Sequence, residues 1–286
     1  MKQWLSPAKL NLFLYITGRR SEDNYHNLQT LFQLLDYGDN LTFTLRDDNH
    51  IRLITPIIGV PEENNLIIKA AKLLQSIAQS HKTRFNSDLG IDISIDKKLP
   101  MGGGLGGASS NAATVLVALN QLWQLNFSTE KLMNIGRALG ADVPVFVFGH
   151  TAFAEGIGDI LQKVERPEKW FLVAHPQIEV STSKIFNHPD LYRSSPIKTL
   201  QQRLTSPFSN DIEPLIRKIY PKIDEIIQLI SCYSTTRLTG TGACVFAEFN
   251  TQQEAINVKN QLPITIESFV AKGINQSPIL GLNNAN

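Results

Sequence analysis

The sequence predicts an α+β protein of two units, and three observations predict it. Segments in which apolar and polar residues alternate, residues 41–46 and 91–96 among them, read as antiparallel strands with one wet face. Other segments carry apolar residues at i, i+3, i+4 and i+7, the stripe of an amphipathic helix. Beyond about residue 160 the elements follow the order β-α-β-β-α-β of a ferredoxin-like split unit. At 286 residues and 42% hydrophobic content the chain can bury a core in each unit.

Residues 4–17 form an apolar strand broken by Pro7, with Lys9 and Asn11 on one face by alternation. Polar side chains there stand either in solvent on an edge strand or in a site. A polar turn leads to Tyr25 and His26, and Asn24 is suited to the left-handed angles such a turn needs. Segments 41–46 and 51–55, joined by Asp47-Asp48-Asn49-His50, read as a hairpin. Asn64-Asn65 caps a helix with Leu66, Ile67, Ala70, Leu73, Leu74 and Ile77 on its stripe. Ser109, Ser110 and Asn111 supply caps for a second helix, and Ser128 caps a third that Gly140 should end. Asp142 follows in an apolar run, with Pro144 opposing helix there; such a carboxylate needs a partner. A strand at 151–155 closes the first unit, so the units are 1–159 and 160–286. The second contains strands 171–174, 235–238, 244–249 and 268–272, helical stretches in 212–230 interrupted at Pro221, and a helix at 252–261. Residues 189–207 read as a loop over one face.

The chemistry concentrates in L-P-M-G-G-G-L-G-G-A-S-S at 99–110, five glycines in twelve residues opening into a helix. Backbone N–H groups freed by glycine, together with a helix N-terminus, make a phosphate cradle, although glycine runs also serve as plain flexible connections. It is not a Walker A loop, because Ala108 stands where lysine is required. Gly102, Gly104 and Gly107 fit G-x-G-x-x-G, but the preceding strand alternates where a dinucleotide-binding strand is buried on both faces. A net charge of +1 without a long basic run points to small-molecule partners, with neither nucleic acid nor membrane. Cys232 and Cys244 have no metal or disulfide spacing and read as structural residues of a cytoplasmic protein. No signal peptide or membrane span is read.

Residues 100–113, P-M-G-G-G-L-G-G-A-S-S-N-A-A, resemble the second motif, P-x-x-x-G-L-G-S-S-A-A, of the galactokinase, homoserine kinase, mevalonate kinase and phosphomevalonate kinase (GHMP kinase) superfamily. S-P-A-K-L-N-L-F-L at 6–14, Tyr25-His26, G-A-D-V-P-V-F at 140–146 and L-T-G-T-G-A-C-V-F at 238–246 resemble the branch that acts on cytidine diphospho-methylerythritol. The branch commonly reads D-G-Y-H where this chain has Asp23-Asn24-Tyr25-His26.

The resemblance implies a ribosomal S5 domain 2-like N-terminal domain that binds ATP, a ferredoxin-like C-terminal domain, and an active site in the cleft between them. It implies ATP-dependent, magnesium-dependent phosphorylation of the 2-hydroxyl of that substrate, on a route to isoprenoids. Asp142 and Lys9 would be catalytic. Pro100, Met101, Gly102, Gly103, Gly104, Leu105, Gly106, Gly107, Ala108, Ser109 and Ser110 would hold ATP, with Asn65, Leu66 and Lys97 near the adenine. Asn11, Tyr25, His26, Thr182 and Phe186 would hold the substrate. No carboxylate cluster names the magnesium ligands, and the chain is expected to be a monomer or a homodimer. Another kinase of the superfamily, or a binding module on the same fold, remains the alternative; Tyr25, His26 and Phe186 speak for the cytidine nucleotide.

Overall fold

The structure, a computed structural model, describes residues 2–80 and 88–281. Two long strands, β1 (Gln3–Arg19) and β2 (His26–Arg46), run antiparallel through three register shifts. In the turn between them Asn24 adopts a φ of 62°, as expected, and the Asp23 carboxylate accepts a hydrogen bond from the Tyr25 N–H at 3.0 Å. After β3 (Ile51–Leu53) come α1 (Leu66–Ser80) and β4 (Gly90–Asp96). Asn65 caps α1 as expected, its Oδ1 accepting from the Ile67 N–H at 2.9 Å.

The hairpin expected from 41–46 and 51–55 does not form. Instead β4 inserts between the two, antiparallel to β2 and parallel to β3. The charges fit this pairing: Asp92 of β4 is held by Arg46 of β2 at 3.2 Å and by Arg52 of β3 at 2.7 Å, while Ile91, Ile93 and Ile95 of β4 are buried in the core. Gly90 opens the slot, since a Cβ there would fall 2.2 Å from the Asp48 carbonyl oxygen.

Next come α2 (Gly107–Leu122), α3 (Thr129–Arg137), α4 (Val143–Phe148), β5 (Ala152–Glu155) and β6 (Ile160–Lys163). Three expectations are corrected here. Pro144 does not oppose helix: it sits in the first turn of α4, where its missing N–H would have had no helical partner. Gly140 is not a left-handed terminus; α3 ends at Arg137, and the Gly140 N–H still reaches back to the Gly136 carbonyl at 3.2 Å. The strand β6, past residue 159, pairs with β5 and so extends the first sheet.

The remaining elements are β7 (Trp170–His175), α5 (Thr182–Phe186), α6 (Leu200–Leu204), α7 (Glu213–Ile219), α8 (Pro221–Ser231), β8 (Thr236–Leu238), β9 (Val245–Phe249), α9 (Gln252–Lys259), β10 (Glu267–Ile274) and α10 (Pro278–Gly281). Their strands stand in the order β10-β7-β9-β8, all antiparallel, the ferredoxin-like arrangement that the element order predicts. The segment 189–207 is more than a loop, since it carries α6, whose Arg203 is buried and donates to Gln29 Oε1 at 2.7 Å. Gly273 and Ile274 of β10 lie opposite Leu35 and Leu34 of β2, which fuses both units into one ten-stranded sheet. Among the described residues no helix is long and apolar enough to cross a membrane.

Candidate active site

Both units contribute to one cavity of about 930 Å³ that gathers the predicted residues. From Pro100 to Ser110 all but Ser110 line it, as do Lys9, Asn11, Asn65, Leu66, Lys97, Asp142, Tyr25, His26, Thr182 and Phe186. Ser110 is the exception to the predicted phosphate contacts: it is fully buried in α2 behind the loop.

The helix cap also differs from expectation. Gly106, at φ 74°, is the N-cap of α2, whereas Ser109, Ser110 and Asn111 lie inside the helix. No side chain caps it, so the N–H groups of Gly107, Ala108 and Ser109 meet no helical carbonyl, and the first intrahelical bond runs from Ser110 N–H to the Gly106 carbonyl at 2.8 Å. Free donors at the positive end of a sixteen-residue helix suit the oxygens of a phosphate chain. A Cβ at Gly106 would lie 2.7 Å from the Phe146 ring and 3.2 Å from Lys9 Cε, so only glycine fits between the loop and Lys9.

The turn at 239–243 backs the loop. The Cys244 N–H donates to the Gly103 carbonyl at 3.1 Å, and the Ala243 N–H reaches the Gly102 carbonyl at 3.4 Å. Cys244 is buried there, its thiol pushed up by burial and so inert; Cys232, read as structural, is exposed.

Asp39, which carries no signal in the sequence, clasps both ends of the loop. Its fully buried carboxylate accepts from the N–H groups of Lys98 and Leu99, each at 2.8 Å, from Asn111 Nδ2 at 2.9 Å and from Lys97 Nζ at 3.1 Å. Removing it strands the Lys98 and Leu99 N–H groups and Asn111 Nδ2, while Lys97 Nζ keeps the Leu99 carbonyl. Asp39→Ala is expected to lose about 3–5 kcal/mol of stability in urea unfolding; a loss below about 1 kcal/mol would contradict this clasp.

Register shifts in β1 on either side of Lys9 and Asn11 turn these residues toward the cavity. The solvated-edge alternative fails, because each is only 3% exposed. The freed strand N–H groups find new acceptors: Lys9 N–H donates to the Leu105 carbonyl and Asn11 N–H to Thr239 Oγ1, both at 3.0 Å. Lys9 Nζ then donates to Asn11 Oδ1 at 2.7 Å and lies 3.4 Å from Asp142 Oδ2. Asn11 is held in turn by Thr30 Oγ1, at 2.8 Å from its Nδ2. Asp142, the N-cap residue of α4, makes no side-chain cap bond, and its side chain is 38% exposed. The pair is therefore a fixed, buried ammonium beside an open carboxylate.

Where the resemblance implies adenine, Asn65 is 3% exposed and its Nδ2 has no partner, a buried donor in a residue that lines the cavity. Lys97, which also lines the cavity, turns its Nζ to Asp39.

His26 and Phe186 are in contact, ring centroids 5.0 Å apart and 32° between planes, while Tyr25 is 55% exposed. The rings already paired are thus His26 and Phe186, with Tyr25 as the open one. His26 Nε2 accepts from Arg193 Nε at 3.0 Å, so the ring cannot both donate and accept toward a ligand; only Nδ1 is left for one. Burial, then Arg193, then Arg19 hold His26 below the usual histidine range. Thr182 Oγ1 is 2.9 Å from Thr241 Oγ1, tying α5 to the 239–243 turn. Sequence reasoning also missed Arg193, whose segment reads only as a loop.

Residues 65–150 match the GHMP kinases N terminal domain, and residues 190–267 match the GHMP kinases C terminal domain. A crystal structure of 4-(cytidine 5'-diphospho)-2C-methyl-D-erythritol kinase superposes with a TM-score of 0.82 at 28% identity, covering 95% of this chain and 99% of that one. Mevalonate kinase from Methanococcus jannaschii (TM-score 0.68, 16% identity, 96% and 98% covered) shares the fold. So does homoserine kinase from Cytophaga hutchinsonii (0.65, 18%, 96% and 94%). With both family domains matched in order around one cleft, the chain belongs to the GHMP kinases.

Proposed function

We propose that this protein transfers the γ-phosphoryl group of ATP to the 2-hydroxyl of 4-diphosphocytidyl-2-C-methyl-D-erythritol, giving the 2-phosphate and ADP in the methylerythritol phosphate route to isoprenoids. One observation carries this reading: a single cavity joins an uncapped glycine-loop helix, the Lys9–Asp142 pair and an aromatic site at His26, Phe186 and Tyr25. The similarity to the cytidine-nucleotide kinase, at 28% identity over nearly the whole chain, supports it.

Phosphoryl transfer asks mainly for positioning and charge neutralisation. The loop N–H groups hold the phosphates of ATP, and Asn65 Nδ2 is a donor for an acceptor on the adenine edge. When bound, magnesium-ATP supplies the phosphoryl group, and the metal offsets charge on its oxygens. Magnesium keeps several waters and needs few protein ligands when phosphates hold it. That suits this site, where no three His, Cys, Asp or Glu side chains gather among the described residues. Asp142 accepts the proton of the acceptor hydroxyl as that oxygen bonds to phosphorus. Lys9, held by Asn11, offsets negative charge next to Asp142 and orients the carboxylate.

Base selectivity tests the substrate. Stacking on Tyr25 and Phe186 gives affinity without choice, because every base has a π-face. Choice has to come from hydrogen bonds at the base edge, where N3 is an acceptor in cytosine and a donor in uracil. The uridine analogue is expected to have a kcat/KM lower by as much as about 10⁴-fold. Phe186→Ala should weaken both compounds alike. Equal kcat/KM for the two nucleotides would return the reading to a small-molecule kinase without a cytidine pocket.

A further inference from the structure

A histidine can choose between cytosine and uracil only if one protonation form prevails. A neutral imidazole moves between two tautomers, and each ring nitrogen is a donor in one and an acceptor in the other. At His26 that freedom is gone. Arg193 Nε lies 3.0 Å from His26 Nε2, and a guanidinium only donates, so Nε2 keeps its lone pair and the ring proton sits on Nδ1. The arginine is itself fixed by backbone. Its Nη1 donates to the Leu191 carbonyl at 3.0 Å, and its Nη2 donates to the Phe186 and His188 carbonyls at 2.8 and 2.7 Å. The guanidinium therefore has no freedom to turn away from the ring. The charged groups acting on the ring are Arg193, from the segment after α5, and Arg19, its cross-strand neighbour on β1; both oppose the imidazolium, as burial does.

We propose that Arg193 is a positioning residue for base choice: it locks His26 as the neutral ring protonated at Nδ1, which offers N3 of cytosine a donor and denies N3–H of uracil an acceptor. The proposal rests on the cytidine reading above. Arg193→Met removes the lock. The other tautomer then turns Nδ1 into an acceptor, which repels cytosine N3 and welcomes uracil N3–H. The cytidine-to-uridine ratio of kcat/KM should fall by at least about tenfold at neutral pH. Acid should restore it, because the imidazolium again carries a proton on Nδ1. In the variant the ratio therefore rises as pH falls between about 8 and 5.5, whereas in the unsubstituted enzyme it stays flat, since Nδ1 is protonated in both the locked and the charged ring. Arg193→Lys, which can still donate to Nε2, should keep most of the ratio.

Arg193 also braces the chain around Phe186, and loss of that brace alone would lower kcat/KM for both nucleotides equally with no recovery in acid. Imidazole nitrogen-15 NMR of the unliganded full-length enzyme reads the lock without any substrate: His26 should show a protonated Nδ1 and a bare Nε2, and the Arg193→Met protein a mixture. A proton on Nε2 in the unsubstituted enzyme overturns the proposal, as does an Arg193→Met variant that keeps the full ratio at every pH. Those results leave the cytidine reading intact. That reading fails separately, and the proposal with it, if the unsubstituted enzyme accepts both nucleotides equally.

Discussion

Asp142→Asn is expected to lower kcat by about 10²–10⁴-fold, the usual loss when a general base is removed, with little change in the KM for ATP. Asparagine keeps the shape of the side chain, and the asparagine carbonyl can still face Lys9 across the 3.4 Å gap. What it loses is the capacity to take the proton from the acceptor hydroxyl. Asp142 makes no cap bond to α4, so the substitution breaks no helix cap, and its partly open side chain is placed to meet substrate. The loop N–H groups proposed to hold ATP belong to a different segment, which is why KM for ATP should stay put. Turnover within about threefold of the unsubstituted enzyme would remove Asp142 from the chemistry.

Gly104→Val is expected to weaken ATP binding by about 10–10²-fold while the fold is kept. The residue sits at φ 76°, where a β-branched side chain is strained by about 1–3 kcal/mol. Space is lacking as well: a Cβ there would lie 2.5 Å from the Thr239 carbonyl oxygen and 3.0 Å from that of Gly242. The valine has to push the loop off the 239–243 turn, and the loop N–H groups move with it. Titration calorimetry with ATP measures the loss, with circular dichroism to confirm folding. Unchanged affinity in a folded variant would place the phosphates elsewhere.

Much of the site was legible because its residues are out of place by ordinary rules. Lys9 and Asn11 in an apolar strand, Asp142 in an apolar run and five glycines before a helix each demand a reason, and one cavity supplies it. Asp39 was not legible. It stands in D-Y-G-D-N, an ordinary polar stretch, and two of its partners are backbone N–H groups that no side-chain pattern announces. Arg193 was hidden for a similar reason, since three of its four bonds go to backbone carbonyls, those of Phe186, His188 and Leu191.

The fold divides in the same way. Alternation correctly marks strand faces but is silent about neighbours, so the nearest alternating segment looked like a hairpin partner. The charge set of Arg46, Asp92 and Arg52 acts only once β4 lies between β2 and β3. Pro144 shows the reverse error. A proline opposes helix in its interior, yet it is welcome in the first turn, and the sequence does not say which turn it will occupy. The ferredoxin-like order was legible because its elements are short, regular and separated by clear turn residues.

In the proposed reaction one cleft brings ATP to the 2-hydroxyl of a cytidine diphosphate ester. Phosphorus-31 NMR of the protein with magnesium-ATP and 4-diphosphocytidyl-2-C-methyl-D-erythritol tests it most directly. ADP and a new phosphomonoester resonance should appear in equal amounts, lost in Asp142→Asn and absent when mevalonate or homoserine replaces the nucleotide. ADP formed with mevalonate or homoserine, and no phosphomonoester from the cytidine compound, would contradict it.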